Sequence, residues 1–261
     1  MPISAEARRQ VNRVAKRIGP DTSLLFITGA GLSADSGLPT YRGIGGLYAD
    51  DRDTPEGLPI ELLLSGSMFR TRPELTWTYL HEVGRAAAGA TFNRGHAVIA
   101  DLEARLPRVW TLTQNVDGFH HAAGSRNVIE IHGNIHKIIC TCCDYQETID
   151  NFEQVAELPL CPLCSAVVRP DVILFGEELP TEQVVLLGGQ LAIGFDLVLS
   201  VGTSSLFPYI QEPVLRAKSS GGLAVEINPV ETAVSEVVDV RIEAGAAEAL
   251  EALWERVVAE E

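Results

Sequence analysis

The chain lacks any apolar run approaching the ~20 residues that a membrane-spanning helix needs. Its opening segment, Met1 to Arg9, holds no apolar stretch of the kind a secretory leader carries. A cytoplasmic protein with no membrane partner is the expectation. Positive charge is scarce, with 20 Lys and Arg against 35 Asp and Glu for a formal net charge of −15, so nucleic acid phosphates are repelled and no nucleic acid partner is expected. An acidic surface suits a basic, lysine-bearing partner, although solubility alone accounts for it equally well. Cysteine is sparse too. There are five, and four of them form two C-x-x-C pairs, a usage that in a reducing compartment points to metal before disulfides. Internal repeats and low-complexity tracts are missing. What is present is a chain of 261 residues with 46% hydrophobic composition, enough for one large α/β domain or a main domain carrying a smaller insertion.

Val11, Val14, Ala15 and Ile18 recur at helical spacing with Arg and Lys between them, predicting an amphipathic helix over residues 5–18. Ser23–Thr28 reads as a strand that ends in a glycine-rich turn and opens a helix. The Gly, Asp and Pro residues between Thr40 and Pro59 predict a long loop, a candidate lid beside that turn. Helical patterns cover 73–88 and 95–105, and strand patterns cover Arg108–Thr113 and Asn127–Ile131. From His136 to Arg169 the chain is cysteine-punctuated and poor in helical periodicity, as an inserted zinc ribbon is. Strands at Val172–Phe175, Leu197–Val201 and Ala224–Ile227 then alternate with helices near 181–192 and 209–218, before a last helix near 246–259. Such alternation predicts an α/β fold, a Rossmann-like doubly wound parallel sheet whose ligands sit beyond the strand carboxyl ends at a topological switch point.

Polar motifs fall at those ends. Gly29-Ala30-Gly31-Leu32-Ser33-Ala34 fits G-x-G-x-x-G/A directly after a strand, where glycines let the backbone approach a pyrophosphate at a helix amino terminus. An acidic ribose ligand about 20 residues on is not clearly placed, since Asp50, Asp51 and Asp53 sit in a loop, so this is not an ordinary dehydrogenase site. Downstream, Tyr41 and Arg42 could hold a nicotinamide ring and a phosphate, against the plain alternative of a solvated surface loop. Thr113-Gln114-Asn115-Val116-Asp117 places amides and a carboxylate at the end of another strand, where helix capping by Asn115 or Asp117 is an equal competitor. Glu130-Ile131-His132-Gly133 ends a strand in a histidine, the natural general base at neutral pH. His120, His121 and His136 compete with His132, which is preferred for its strand-end position. Gly202-Thr203-Ser204 and Asn228 follow two further strands and suit the adenosine half of a dinucleotide, or simple turns.

The cysteine signal is the most specific. Cys140 and Cys143 are separated from Cys161 and Cys164 by 17 residues, the spacing of a four-thiolate zinc site. A closed site of that kind leaves no position for substrate, so the metal should fold the insertion. Cys142 reads as a spare thiol, and redox dithiols are the weaker rival.

Taken in order, G-A-G-L-S-A-D-S-G-L-P-T-Y-R, T-Q-N-V-D, E-I-H-G, the paired C-x-x-C, R-P-D-V-I-L-F-G-E, G-T-S and I-N-P resemble the sirtuin (Sir2) family of NAD-dependent protein deacylases over residues 24 to about 250. The resemblance implies a Rossmann-type domain (1–39, 91–137 and 170–261), a cofactor loop and helical module (40–90) and a zinc-ribbon insertion (138–169). It implies that NAD is consumed to remove an acyl group from lysine, through an alkylimidate, releasing nicotinamide and O-acyl-ADP-ribose. Gly29, Ala30, Gly31, Ser33, Tyr41 and Arg42 would line the NAD cleft, and Gln114, Asn115 and Asp117 would surround the nicotinamide and its ribose. Gly202, Thr203, Ser204, Asn228 and Ala246 would hold the adenosine half, His132 would be the general base, and Asn115 and Asp117 would share the catalytic work. Val172, Phe175, Gly176 and Glu177 match the segment that pairs with substrate backbone.

Two departures from the family pattern stand out. Tyr41 occupies a position usually held by phenylalanine. Leu80 and Val83 fall where succinyl- and malonyl-removing members carry a Tyr-x-x-Arg pair, so a buried acyl carboxylate would go unpaired at several kcal/mol, and uncharged acyl groups, acetyl first, are expected. The rivals are a protein ADP-ribosyltransferase and a non-catalytic NAD or ADP-ribose sensor. A monomer is favoured, with acyl-lysine proteins or peptides as partners.

Overall fold

A computed structural model describes residues 3–39, 54–150 and 152–259. Its strands are β1 (Ser23–Thr28), β2 (Arg108–Thr113), β3 (Val128–Glu130), β4 (Gly133–Cys140), β5 (Gln146–Thr148), β6 (Val168–Val172), β7 (Leu197–Val201), β8 (Leu223–Ile227) and β9 (Val240–Ile242). The helices are α1 (Ala5–Ala15), α2 (Ala30–Ala34), α3 (Ile60–Leu63), α4 (Gly66–Thr71), α5 (Pro73–Ala87), α6 (Arg94–Arg105), α7 (Phe119–Ala122), α8 (Thr181–Ile193), α9 (Pro208–Ser219) and α10 (Ala246–Ala259).

Strand side chains alternate between faces, and β1 shows what that does here. Leu24 and Phe26 enter one core with Val11, Ile99, Leu102, Leu250 and Leu253, from α1, α6 and α10. Leu25 and Ile27 enter another with Leu187, Ile210 and Val214, from α8 and α9. Covered on both faces, the strand reads as a continuous apolar run, as parallel strands do. The six-stranded sheet has the order β3-β2-β1-β7-β8-β9 with every pairing parallel. This is the doubly wound arrangement, with its switch point between β1 and β7. Thr28 lies level with Thr113 on one side and Val201 on the other, so three strand ends open at one height.

The second, antiparallel sheet, β5-β4-β6, shares a core with α3, α4 and α5. Trp77, fully buried, donates from Nε1 to the Val168 carbonyl at 2.9 Å and so ties α5 to β6. This sheet runs from Gly133 to Val172, a few residues past either end of the cysteine-marked 138–169 stretch.

Sequence patterns and structure part in one strand. The expected strand Val172–Phe175 is displaced to Val168–Val172, because β6 takes its partners from β4 and runs through Arg169, Pro170 and Asp171. Proline cannot donate to a ladder, and β6 tolerates it as an edge strand. β4, β9 and the short helices α3, α4 and α7 carry too little periodicity to be legible.

Candidate active site

Two glycine turns cross at the switch point. Gly29 is the N-cap of α2, and the Gly31 N–H donates to the Gly202 carbonyl at 2.8 Å. A Cβ on Gly31 would lie 2.8 Å from Gly202 Cα, and one on Gly202 2.6 Å from the Leu32 nitrogen. The turns after β1 and β7 therefore touch backbone to backbone, and the glycines serve that contact as well as any ligand. Asn228, buried, donates to the Thr203 carbonyl at 3.1 Å, and Gln114 Nε2 donates to Thr203 Oγ1 at 2.7 Å. Thr203 thus joins the ends of β2, β7 and β8. Ser204 is exposed, and Ala246 is the buried first residue of α10.

A polar chain runs along the same rim. Asn115 Nδ2 donates to the Gly29 carbonyl (3.0 Å) and to Ser33 Oγ (2.9 Å), while Ser33 Oγ donates to Asp117 Oδ2 (2.6 Å). Asp117 Oδ1 accepts from the Phe119 N–H two residues on at 3.0 Å, an Asx-type turn rather than the helix cap, which is Gly118. Burial pushes the Asp117 carboxyl up, and the bonds from Ser33 and Phe119 oppose it. Asn115 keeps Oδ1 unengaged among the described residues, an acceptor for a ligand amide.

His132 follows β3. Its Nδ1 faces the Gln114 carbonyl at 3.0 Å, and its Nε2 faces the Tyr209 hydroxyl at 2.8 Å. A carbonyl only accepts, so Nδ1 carries the proton and Nε2 is the basic nitrogen. Burial lowers the ring's proton affinity, with the Gln114 carbonyl acting in opposition. The other histidines go elsewhere: His120 to Thr28 Oγ1 in the core, His121 to the Ser125 carbonyl and His136 to the Ile149 carbonyl. Gly133, at φ +82°, makes the turn out of His132, and a Cβ there would lie 1.9 Å from the Asp171 carbonyl oxygen.

The four cysteines converge. Sulfurs about 2.3 Å from a tetrahedral zinc lie about 3.8 Å apart. Here Cys140 and Cys164 Sγ are 3.4 Å apart, Cys143 and Cys161 Sγ 3.6 Å, and all four fall within 4.8 Å of one another. Cys142 is exposed and outside the cluster. The set fits a closed structural zinc site.

The Sir2 family model matches residues 29–207. The chain belongs to the Sir2 family. A relative from Pseudomonas syringae pv. tomato, NAD-dependent protein deacylase 2, is 50% identical over 238 residues, covering 90% of this chain and 93% of the relative. A solved Sir2 homolog–NAD complex superposes with a TM-score of 0.83 at 31% identity, covering 100% of this chain and 97% of the other. A Sir2 structure holding a deacetylated p53 peptide and 3′-O-acetyl ADP-ribose matches with a TM-score of 0.80 at 26% identity, over 94% and 97% of the two chains.

In this Sir2 chain Tyr41 and Arg42, and with them most of the expected 40–59 lid, lie outside the described residues. Of the segment expected to meet substrate, Val172 closes β6. Phe175 is already bridged to the loop before α4, its N–H donating to the Leu64 carbonyl at 2.9 Å and its carbonyl accepting from Gly66 at 3.1 Å. Gly176 has φ +79°. Glu177 forms a two-point pair with Arg169 at 2.6 and 2.9 Å; burial raises its carboxyl, but Arg169 and the Leu174 N–H hold it below the ordinary range. Leu80 is buried in the α3–α5 core, with Val83 packed at its edge. Val116, between Asn115 and Asp117, packs on that same core, which brings it to the polar rim.

Tyr209 and Phe207 escaped the sequence reading. Their rings stack at 5.4 Å, and each meets the His132 ring edge-on at 6.0 Å. The one available signal was an aromatic pair flanking Pro208 just after G-T-S-S.

Proposed function

We propose that this chain is an NAD-dependent protein lysine deacylase that works on uncharged acyl groups, acetyl first, and releases nicotinamide and O-acyl-ADP-ribose. The observation that carries the reading is His132: neutral, with Nε2 as its basic nitrogen, and tied through Gln114 to the rim where the β1, β2 and β7 ends meet. NAD, when bound, supplies an electrophilic sugar carbon for the acyl oxygen and a neighbouring hydroxyl that collects the acyl group.

The protein's part is to hold, orient and deprotonate. Gly29, Ala30, Gly31, Tyr41 and Arg42 hold the phosphate and nicotinamide side. Gly202, Thr203, Ser204, Asn228 and Ala246 hold the adenosine half. Asn115, with Gln114 beside it, orients the carboxamide through its Oδ1, while Ser33, held by Asp117, keeps its Nδ2 in place. His132 Nε2 takes the proton of the sugar hydroxyl. Cys140, Cys143, Cys161 and Cys164 hold one structural zinc, which keeps β4 and β6 in register and takes no part in the chemistry. Val172, Phe175, Gly176 and Glu177 present the substrate segment, whose partners are acyl-lysine peptides or proteins.

Leu80 and Val83 offer no donor to an acyl carboxylate, which supports the preference for uncharged groups. No described helix is long and apolar enough to cross a membrane, and the acidic balance suits a basic, lysine-bearing protein partner.

The test is turnover of acetyl-, butyryl-, long-chain and succinyl-lysine peptides with carbonyl-labelled nicotinamide and adenine-labelled NAD. Expected are nicotinamide and O-acyl-ADP-ribose from the acetyl peptide, and a fall of roughly 10²–10⁴-fold in His132→Ala. Label retained on protein without deacylation would favour ADP-ribosyl transfer, and no turnover by the wild type would favour a sensor. Substantial succinyl removal would overturn the acyl preference.

A further inference from the structure

We propose that Tyr209 is a positioning residue for His132: by donating to Nε2 it holds the imidazole in its neutral, Nδ1–H form and yields that bond when a sugar hydroxyl arrives. The inference rests on the reading of His132 as the base, and goes beyond it in naming what prepares the base.

Three observations carry it. The first is the pairing at both nitrogens, 3.0 Å to a carbonyl that only accepts and 2.8 Å to a hydroxyl. With Nδ1–H committed to Gln114, the tyrosine can donate only while Nε2 is bare. Were the ring protonated, the hydroxyl would have to turn and accept, and its own hydrogen would find no acceptor among the described residues.

The second is the aromatic frame. Phe207 and Tyr209 stack nearly parallel, 10° apart, and the imidazole meets both edge-on at 88° and 83°. Pro208 opens α9 between them, a first helical position that needs no N–H, so the helix start sets where the hydroxyl points. His132 arrives from the other direction, out of β3 and into the Gly133 turn. The bond thus spans the first turn of α9 and the end of β3.

The third is that nothing else around the ring is placed to do this. Among the described residues the ring's hydrogen-bond partners are the Gln114 carbonyl and the Tyr209 hydroxyl alone, and burial lowers its proton affinity while the carbonyl opposes that. Tyr209 itself cannot serve as the base, since burial pushes its hydroxyl up to about 12. The tyrosine therefore keeps its proton throughout. When the sugar hydroxyl replaces it as donor to Nε2, the proton that moves is the sugar's.

Tyr209→Phe keeps the ring and removes only the donor. Nitrogen-15 NMR of the free protein's histidines, with His132 assigned by His132→Ala, reads the tautomer and its titration without any turnover. In the wild type His132 is expected in the Nδ1–H form. In Tyr209→Phe its titration should move up by about half a pH unit or more, the size of one lost hydrogen bond to the neutral ring, and the acid limb of kcat/KM should move up with it. The alkaline plateau of kcat should stay within about threefold, whereas Tyr209→Ala, which also removes the wall, should lower it further. A Tyr209→Phe titration and tautomer identical to the wild type would overturn the inference. Retention of deacylation by His132→Ala would instead sink the assignment of the base, and the NMR comparison would still decide whether Tyr209 sets the ring.

Discussion

A neutral imidazole has one donor and one acceptor nitrogen, and at His132 the Gln114 carbonyl faces the first while the Tyr209 hydroxyl faces the second. Burial lowers the ring's affinity for protons, so kcat/KM for an acetyl peptide should keep its acid inflection below about 6.5; an inflection at or above that value contradicts the assignment. Ser33 is the hinge of the polar rim. Ser33→Ala strips a partner from both Asn115 and Asp117, and hydrogen bonds to charged groups are worth about 1.5–3 kcal/mol, so kcat/KM should fall about 10- to 100-fold in steady-state assays. The buried pair His96 and His120, rings 5.0 Å apart, makes a separate prediction about stability. Burial lowers His96 to about 4 and His120 well below its ordinary value. The unfolded chain takes protons near 6.5 that the folded chain refuses. This stability is therefore fully present above pH 6.5 and lost as pH falls toward 4, by about 3 kcal/mol for His96 alone. Urea unfolding of the wild type and His96→Gln at pH 7.5 and 5 checks it, the variant showing the flatter dependence. Among six histidines sequence position favoured His132, but only burial shows that His120 turns into the core.

At the scale of elements, the crossing of the β1 and β7 turns sets how close two strand ends come. Gly31→Ala places a Cβ against backbone atoms that have no rotamer to give. The expected cost is about 1–3 kcal/mol in denaturant unfolding, with a several-fold higher KM for NAD; an unchanged midpoint and KM would show that the turns can part freely. Gly133 is more demanding, combining a left-handed backbone with contact against Asp171. Most strands of the large sheet were legible because parallel strands buried on both faces are largely apolar, as β1 and β7 are. β6 was not, since Arg169-Pro170-Asp171 reads as a loop until β4 is seen to pair with it.

For the whole molecule, the metal site and the helical module share one core: Cys161, Val168, Phe152, Trp77 and Leu63 belong to the same buried cluster. Four thiolates without a cation between them would repel, and the energy of a structural zinc is folding energy. Chelation at neutral pH should therefore release about one zinc per chain, lower the melting temperature and red-shift the fluorescence of Trp77. Deacylation should fall with it, because Val116 carries that core to Asn115 and Asp117. Full activity and an unshifted spectrum after metal removal, checked by elemental analysis, would contradict the coupling.

Local sequence by itself determined the elements whose burial is uniform or periodic, the cysteine spacing, and the placement of polar residues after apolar runs. These follow from nearest-neighbour chemistry, in which a strand covered on both faces is apolar and a four-thiolate zinc site keeps its spacing. Tertiary structure alone decided that Thr203 links three strand ends, that Gly31 and Gly202 meet, that Glu177 answers Arg169 and that Tyr209 closes on His132. Most of these contacts join residues far apart along the chain, and the Glu177 pair depends on the bend after β6. Nothing in a local pattern encodes such partners, because they are chosen by how the strands cross and where each helix begins.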